Sequence, residues 1–558
     1  MLPKFNEINI ATPDLDELSK EYASLRNALA DPKSKPRSAI EQWDKIRREV
    51  ATWQNLAELN FERDTNDESA IAVKQHCDEM SPQLTELDIS IKQLILDGPH
   101  RDKLQEALGE QAFAIWRSEV LAFNPDIKNE LVAESKLASD FSSLLASAKL
   151  DFRGKEYNHE GIDQFKFSPD RAERYESMSV KWKWFEENAD QLDELFERLV
   201  QTRQKMAQSL DFENYLELGY LRRCRVDYTK EDVEAYRNQV RDSVVPFCEE
   251  LIASKGKSLN LDKAMFWDEP IHSLGGNPKP LGEHDWMIEQ AKRLFSNMSN
   301  ELGEFFHLMV DLQLLDLKTR SGKGGGGFCT DFPKYGLPYI FANFNGSADD
   351  VRVFTHEIGH AFQGFKSREQ KIYDYVWPTY ESCEIHSMGL EFLTFPQMDN
   401  FFGEQANQFC HEHVIDSLLF LPYGVAVDHF QHLVYESPAA SARDRHEMWL
   451  EMEARYLPWR DYGDLPYLPN GGRWQLQRHI YMYPLYYIDY TLALACALQL
   501  WQRSSVDFSA TLVDYHRLCE LGGTLPFQQL IETVNLKSPF GSAVLGECVA
   551  FAKSYLMD

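Results

Sequence analysis

His356 and His360 stand four residues apart in a stretch where Val351, Phe354, Ile358, Ala361, Phe362 and Phe365 recur at helical spacing. Residues four apart share one face of a helix, so both imidazoles aim at one point. The apolar pattern makes the same helix largely buried. Two imidazoles and the carboxylate of Glu357 on such a helix need partners, because unpaired polar groups away from water are costly. The fold is thereby constrained: it must bring a further donor, and a cation, to the interior beside this helix. Glu357 lies one residue round from the histidine face, where it reaches a metal-bound water without competing for the metal. Two imidazoles and one distant carboxylate form the ligand set of a catalytic zinc with an open fourth position. Ser347, three residues before Asp350, is a start signal for this helix, and Gly359 admits a close approach to its backbone.

The third donor is sought downstream. Thr379, after Pro378, is a good N-cap for a helix continuing through Phe395. Glu381, Glu384, Met388 and Glu391 fall on one stripe of it. Glu384 lies 24 residues past His360, room for a loop and one turn of a second helix. Spacing leaves Glu381 open as a competitor for the ligand role. Upstream, Pro338–Phe344 has the aromatic and β-branched content of a strand, and such a strand offers its backbone to an extended peptide. The glycines Gly324–Gly327 read either as a flap over a cleft or as a surface loop. A phosphate-cradling role fails for want of the Lys-Ser/Thr ending of a P-loop.

With 558 residues there is ample chain for a large core and more than one domain. Lys+Arg of 58 against Asp+Glu of 88 gives a net charge of -30. A chain this acidic repels nucleic-acid phosphates and anionic membranes, so neither is an expected partner. The nine cysteines lack paired spacing, which predicts reduced thiols and a cytoplasmic setting. No apolar h-region follows Met1, and the apolar runs Leu418–Val427 and Thr491–Trp501 are too short to span a bilayer. Both read as buried helices. Elsewhere helix signals dominate, as in Leu192, Leu195, Phe196, Leu199 and Met206 after Asn188. Leu150–Phe167 reads as a hairpin or an irregular loop.

His356-Glu-Ile-Gly-His360-Ala-Phe-Gln, Glu384-Ile-His-Ser-Met388 and Pro484-Leu-Tyr-Tyr-Ile-Asp-Tyr490 resemble the oligoendopeptidase F branch of the thimet-oligopeptidase family. Phe61-Glu-Arg-Asp-Thr-Asn-Asp67 and Asn214-Tyr-Leu-Glu-Leu-Gly-Tyr220 extend the likeness over nearly the whole chain. The resemblance implies a mainly α fold, two helical halves enclosing a deep channel for short peptides, with a small β-sheet beside the zinc helix. It implies an N-terminal helical domain over 1–205 covering the channel and a catalytic domain over 206–558. It also implies Glu384 as third ligand to a single zinc, and zinc-dependent endopeptidase activity on short oligopeptides. The rival within enzymes is a zinc carboxypeptidase or dipeptidyl carboxypeptidase, which needs a cationic clamp for the substrate C-terminus. A non-catalytic peptide-binding protein with structural zinc has no use for Glu357. Oligomeric state stays open.

The resemblance gives the tyrosine-rich segment a role as well. Peptide hydrolysis builds negative charge on the carbonyl oxygen, which phenol and imidazole donors stabilise. Tyr490 and His479 are the expected helpers, with Tyr483 and Tyr486 as further candidates. Pro484 suits the first helical position, which puts His479 and Tyr483 on the entering loop. Cys410-His411-Glu412-His413 crowds its donors into one helical turn and is a poor metal site. Cys329 and Cys383, beside the expected cleft, read as buried, inert thiols.

Overall fold

The computed structural model describes residues 2–320 and 322–557. It is mainly α-helical, and its sheet content is a two-stranded hairpin and a three-stranded sheet. The hairpin pairs Leu150–Phe152 with Lys155–Tyr157, so the first half of Leu150–Phe167 is the hairpin, while His159–Asp163 and Gln164–Phe167 are short helical turns that the sequence reading did not foresee.

Five N-terminal helices, Leu15–Ala30, Pro36–Arg63, Glu68–Asp97, Arg101–Leu108 and Glu110–Leu121, build an apolar cluster of their own around Trp43, Trp53, Ile91 and Trp116. Two residues from far along the chain, Ile372 and Tyr375, belong to that cluster. They are held there by polar contacts as well. Asp374 accepts from Trp116 Nε1 at 2.9 Å and pairs with Arg47 at 2.7 Å, while the Tyr375 hydroxyl donates to the Leu108 carbonyl at 2.7 Å. The loop following the histidine helix is therefore anchored in the N-terminal helices. Most of the remaining apolar core is one continuous cluster, centred on helices 348–367, 380–393, 406–436 and 487–504, and a small separate one gathers Leu150, Phe152 and Ile162 at the hairpin. The two long apolar runs lie inside the last two of these helices, and no described helix is long and apolar enough to cross a membrane.

The three-stranded sheet runs Leu315–Lys318, Leu337–Phe344, Phe328–Phe332 in spatial order. Leu337–Phe344 is the strand expected before the histidine helix, and nearly all of it is buried, as suits a central strand. Its place corrects one expectation. It pairs parallel on one side and antiparallel on the other, so its backbone is used and cannot receive a peptide. Any added strand would have to pair at one of the two edges, Leu315–Lys318 or Phe328–Phe332. The glycine run leads into the latter edge strand, and the Asn343 amide ties it down by donating to the carbonyls of Gly324 at 2.7 Å and Gly326 at 2.9 Å.

Candidate metal and catalytic centre

The histidine helix spans Ala348–Ser367, with Ser347 at the N-cap as expected. The Ser347 side chain does not cap it. The Asp350 carboxylate instead accepts from the backbone amides of Asn345 at 3.0 Å and Gly346 at 2.7 Å, and so fixes the chain's approach. A second helix, Tyr380–Leu393, crosses the first at Gly359. A Cβ on Gly359 would sit 2.5 Å from the His386 carbonyl oxygen and 2.6 Å from the Ser387 Cα. Glycine is required here for contact between backbones, and that contact carries Glu384 to the histidines.

His356, His360 and Glu384 offer one donor atom each, all within 4.8 Å of one another. Glu384 Oε2 lies 3.2 Å from His356 Nε2 and 3.4 Å from His360 Nε2. Burial penalises the Glu384 carboxylate, but the two imidazoles outweigh it and hold this carboxyl well below the usual range. Burial likewise disfavours a charged His356, yet Glu384 and Glu391 raise its pKa well above the ordinary value. Both shifts say that this pocket draws positive charge. A hard-to-hydrate nest of two imidazoles and a carboxylate fits a divalent ion such as zinc in donor type and number. Glu381 is elsewhere. Its Oε1 accepts from Thr379 Oγ1 at 2.7 Å, its Oε2 is buried without a partner, and burial beside Asp489 raises its pKa to about 8.

Glu357 is buried, and its Oε2 has no hydrogen-bond partner among the described residues. Burial raises its pKa, with the neighbouring imidazoles pulling the other way. A carboxylate so placed is a stronger base than a solvated one, with a free lone pair for a proton.

The tyrosine-rich segment departs from expectation in its local structure. Arg478–Met482 is a short helix, so His479 is helical and not on a loop, and the following helix starts at Tyr487, after Pro484 and a turn in which Leu485 has φ of 62°. The expected residues still gather. The Tyr490 hydroxyl is 3.4 Å from His479 Nε2, and the Tyr486 hydroxyl donates to Glu384 Oε1 at 2.5 Å. Rings of Tyr486 and Tyr490 are 4.8 Å apart. Tyr483 lies about as near His479, ring centre to ring centre 6.1 Å, but differs in being 48% exposed. Burial lowers the His479 pKa to about 4, so the ring is neutral near pH 7. Gln477 Nε2 donates to His479 Nδ1 at 2.8 Å and Tyr423 donates to Gln477 Oε1 at 2.8 Å, which leaves the proton on His479 Nε2, facing Tyr490.

Several residues that sequence reasoning did not single out support the centre. Glu391 Oε1 holds His356 Nδ1 at 2.7 Å, and its Oε2 meets His413 Nε2 at 3.0 Å. Such carboxylate–imidazole contacts fix a ligand's tautomer and ring angle. The signal was the stripe carrying Glu384 and Glu391, seven residues apart, which read equally as a solvated face. His413 thus finds its role against Glu391, and the cluster Cys410–His413 gathers no metal-ligating set among the described residues. Ser387 Oγ donates to Glu384 Oε2 at 3.1 Å. Cys329 and Cys383 are free thiols in half-buried residues, not fully buried ones, and the burial of their sulfurs pushes both pKa values well above the usual value.

A cavity of about 710 Å³ lies between the N-terminal helices and the start of the helix Tyr380–Leu393. Arg47, Gln54 and Lys92 line it on one side, Trp377 and Tyr380 on the other. It stops short of the histidines but reaches Tyr380, whose ring is 5.1 Å from that of Tyr486.

The profile of the Peptidase M3 N-terminal domain matches residues 5–123, and that of Peptidase family M3 matches residues 295–549. No curated protein matches the chain. Among solved structures, one named as an oligoendopeptidase F is 40% identical, with a TM-score of 0.97, and the match covers 100% of this chain and 99% of that one. Pz peptidase A with an inhibitor is 38% identical at a TM-score of 0.96, covering 99% of both chains. A protein of Bacillus anthracis, again named as an oligoendopeptidase F, is 36% identical at a TM-score of 0.92, covering 99% of this chain and 98% of that one.

Proposed function

Because the chain belongs to peptidase family M3, in its oligoendopeptidase F branch, we propose that it is a zinc-dependent endopeptidase hydrolysing internal bonds of short oligopeptides. The observation that carries the reading is the convergence of His356, His360 and Glu384 beside the unpartnered carboxylate oxygen of Glu357. We assign the three convergent residues as the ligands of one zinc ion. When bound, that ion supplies Lewis acidity, acidifying water and polarising a carbonyl.

The residues of the chain do the rest. Glu357, at Oε2, accepts a proton from the attacking water and later passes it to the leaving amine. The Tyr490 hydroxyl and the His479 Nε2–H donate to the carbonyl oxygen as it gains negative charge. Tyr486 steadies Glu384 through its hydroxyl, and Tyr483, on the exposed side of the same segment, is kept as a further donor candidate. Glu391 and Ser387 hold His356 and Glu384 in register.

We further propose that residues 1–205 form the helical cover of the substrate channel and 206–558 the catalytic domain. The cavity of about 710 Å³ between the N-terminal helices and Tyr380 supports a channel on that side. Nine free cysteines support a reducing, cytoplasmic setting.

The experiment is product analysis by mass spectrometry on short peptides with free and with blocked C-termini. Cleavage at internal bonds of both forms is expected, with activity abolished by a chelator and restored by zinc. Release of only C-terminal residues or dipeptides, stopped by the block, would favour a carboxypeptidase or dipeptidyl carboxypeptidase.

A further inference from the structure

Three arginines, Arg222, Arg223 and Arg225, close the helix Tyr215–Arg222 and its exit. Two of them are paired with carboxylates within the protein, Arg222 sharing Glu134 with Arg203. Arg222 Nη2 pairs with Glu134 Oε2 at 2.8 Å, and Arg225 Nη2 pairs with Asp489 Oδ1 at 2.9 Å in the core. Arg223 is different. Its Nε donates to the Pro484 carbonyl at 3.1 Å, and neither of its Nη groups has an acceptor among the described residues. No carboxylate among the described residues pairs with it, although the chain carries 88 acidic residues.

The surroundings prepare this guanidinium for a ligand. Its central carbon lies 5.2 Å from the ring centre of Tyr380 and 5.5 Å from that of Tyr486. The two cation–π contacts and the Pro484 contact restrain the fork and strip part of its water while leaving both Nη groups able to donate. Arg223 is half-buried, Tyr380 is 45% exposed and borders the cavity, and the Tyr486 hydroxyl touches Glu384. The path from Glu384 through Tyr486 to the guanidinium is at most about 11 Å, or three residues of extended chain at about 3.3 Å each.

We propose that Arg223 is a specificity-determining residue that binds a carboxylate of the substrate peptide within about three residues of the scissile bond. This rests on the peptidase reading above. The carboxylate belongs either to an acidic side chain or to the C-terminus of a short peptide, and a guanidinium fork receives both in the same bidentate geometry.

The test uses the zinc-loaded enzyme and one cleaved peptide in matched versions: Glu or Gln at each of the three positions on either side of the cleaved bond, and a free or amidated C-terminus. The ratio of kcat/KM between carboxylate and neutral versions is measured for wild type, Arg223→Gln and Arg223→Lys. Wild type should prefer one carboxylate version by about tenfold or more, mainly through KM, because the contact is remote from the reacting atoms. Loss of preference for Glu over Gln in Arg223→Gln identifies a side chain as the ligand; loss of preference for the free over the amidated end identifies the C-terminus. Arg223→Lys, which keeps the charge without the fork, should retain part of the ratio. The proposal falls if wild type shows no such preference, or if Arg223→Gln keeps it, including by slowing every version alike. A wild-type enzyme that cleaves none of the peptides would overturn the peptidase reading itself, and the role of Arg223 with it.

Discussion

Replacing Gly359 with alanine adds a single methyl group at the crossing that brings the two helices of the site together. That methyl would lie 2.5 Å from the His386 carbonyl oxygen and 2.6 Å from the Ser387 Cα. Ordinary contacts are about 3.5 Å, so the helices must part by roughly 0.9 Å. Neither obstacle is a flexible side-chain end, and the His386 carbonyl is further held by the Tyr515 hydroxyl at 3.0 Å. Overpacking of this kind costs about 1–3 kcal/mol, and better helix propensity returns about 0.5–1 kcal/mol. The net expected loss is about 2 kcal/mol, since backbone against backbone puts the cost at the upper end. The chemical effect should exceed the structural one. Metal–ligand distances tolerate about 0.2 Å, and a shift several times larger would carry Glu384 away from His356 and His360. Zinc affinity should drop by about 10–100-fold or more, the range seen when a ligand's supporting contacts are lost. Thermal unfolding and competition against a chelator of known affinity measure the two effects on one preparation. A Gly359→Ala protein with wild-type Tm and wild-type zinc affinity would refute the argument that this crossing sets the geometry of the site.

Glu384→Ala should lose or sharply weaken zinc binding, whereas Glu381→Ala should keep one zinc per chain by metal analysis; the reverse pattern would transfer the ligand role. Tyr490→Phe removes only a hydroxyl, so kcat should fall by about 10²–10³ with KM, zinc content and Tm nearly unchanged, and a normal kcat would return this residue to packing alone. Glu381, with its pKa raised to about 8 by burial beside Asp489, gives a pH signature. Between the unfolded carboxyl pKa of about 4.3 and the folded value, the native state binds the extra proton, so this group destabilises progressively as pH rises. Glu381→Gln keeps the acceptor for Thr379 and escapes that loss, so its Tm advantage over wild type should grow from pH 5 to pH 8, and a flat difference would show that Glu381 is not buried as a neutral acid.

The helix carrying His356 and His360, its starting residue and the close approach at Gly359 were legible, because periodicity and a glycine on a buried face leave few alternatives, whereas the side chain that holds the entering backbone is that of Asp350 and not Ser347. Choosing Glu384 over Glu381 was not possible from spacing, since both lie on the same stripe; the crossing at Gly359 sets which carboxylate arrives, and that depends on the phase between two helices. The partners Glu391 and His413 were hidden for the same reason, being 22 residues apart and joined only in three dimensions. Pairing of the strand Leu337–Phe344 on both sides was also beyond local reading, because a strand's place in its sheet is set by the strands on either side. The turn before Tyr487 was misread because proline suits both a first helical turn and the bend that precedes one; Leu485 at φ 62° shows that the bend prevailed.

Glu357, as the base beside a bound metal, is the residue on which the proposed hydrolysis depends most. Glu357→Gln preserves size and shape but cannot take the proton, so the purified variant should contain one zinc per chain, melt like wild type, and cleave peptides at least about 10²-fold more slowly. A variant with full zinc and near wild-type kcat would contradict the assignment of Glu357 as the base.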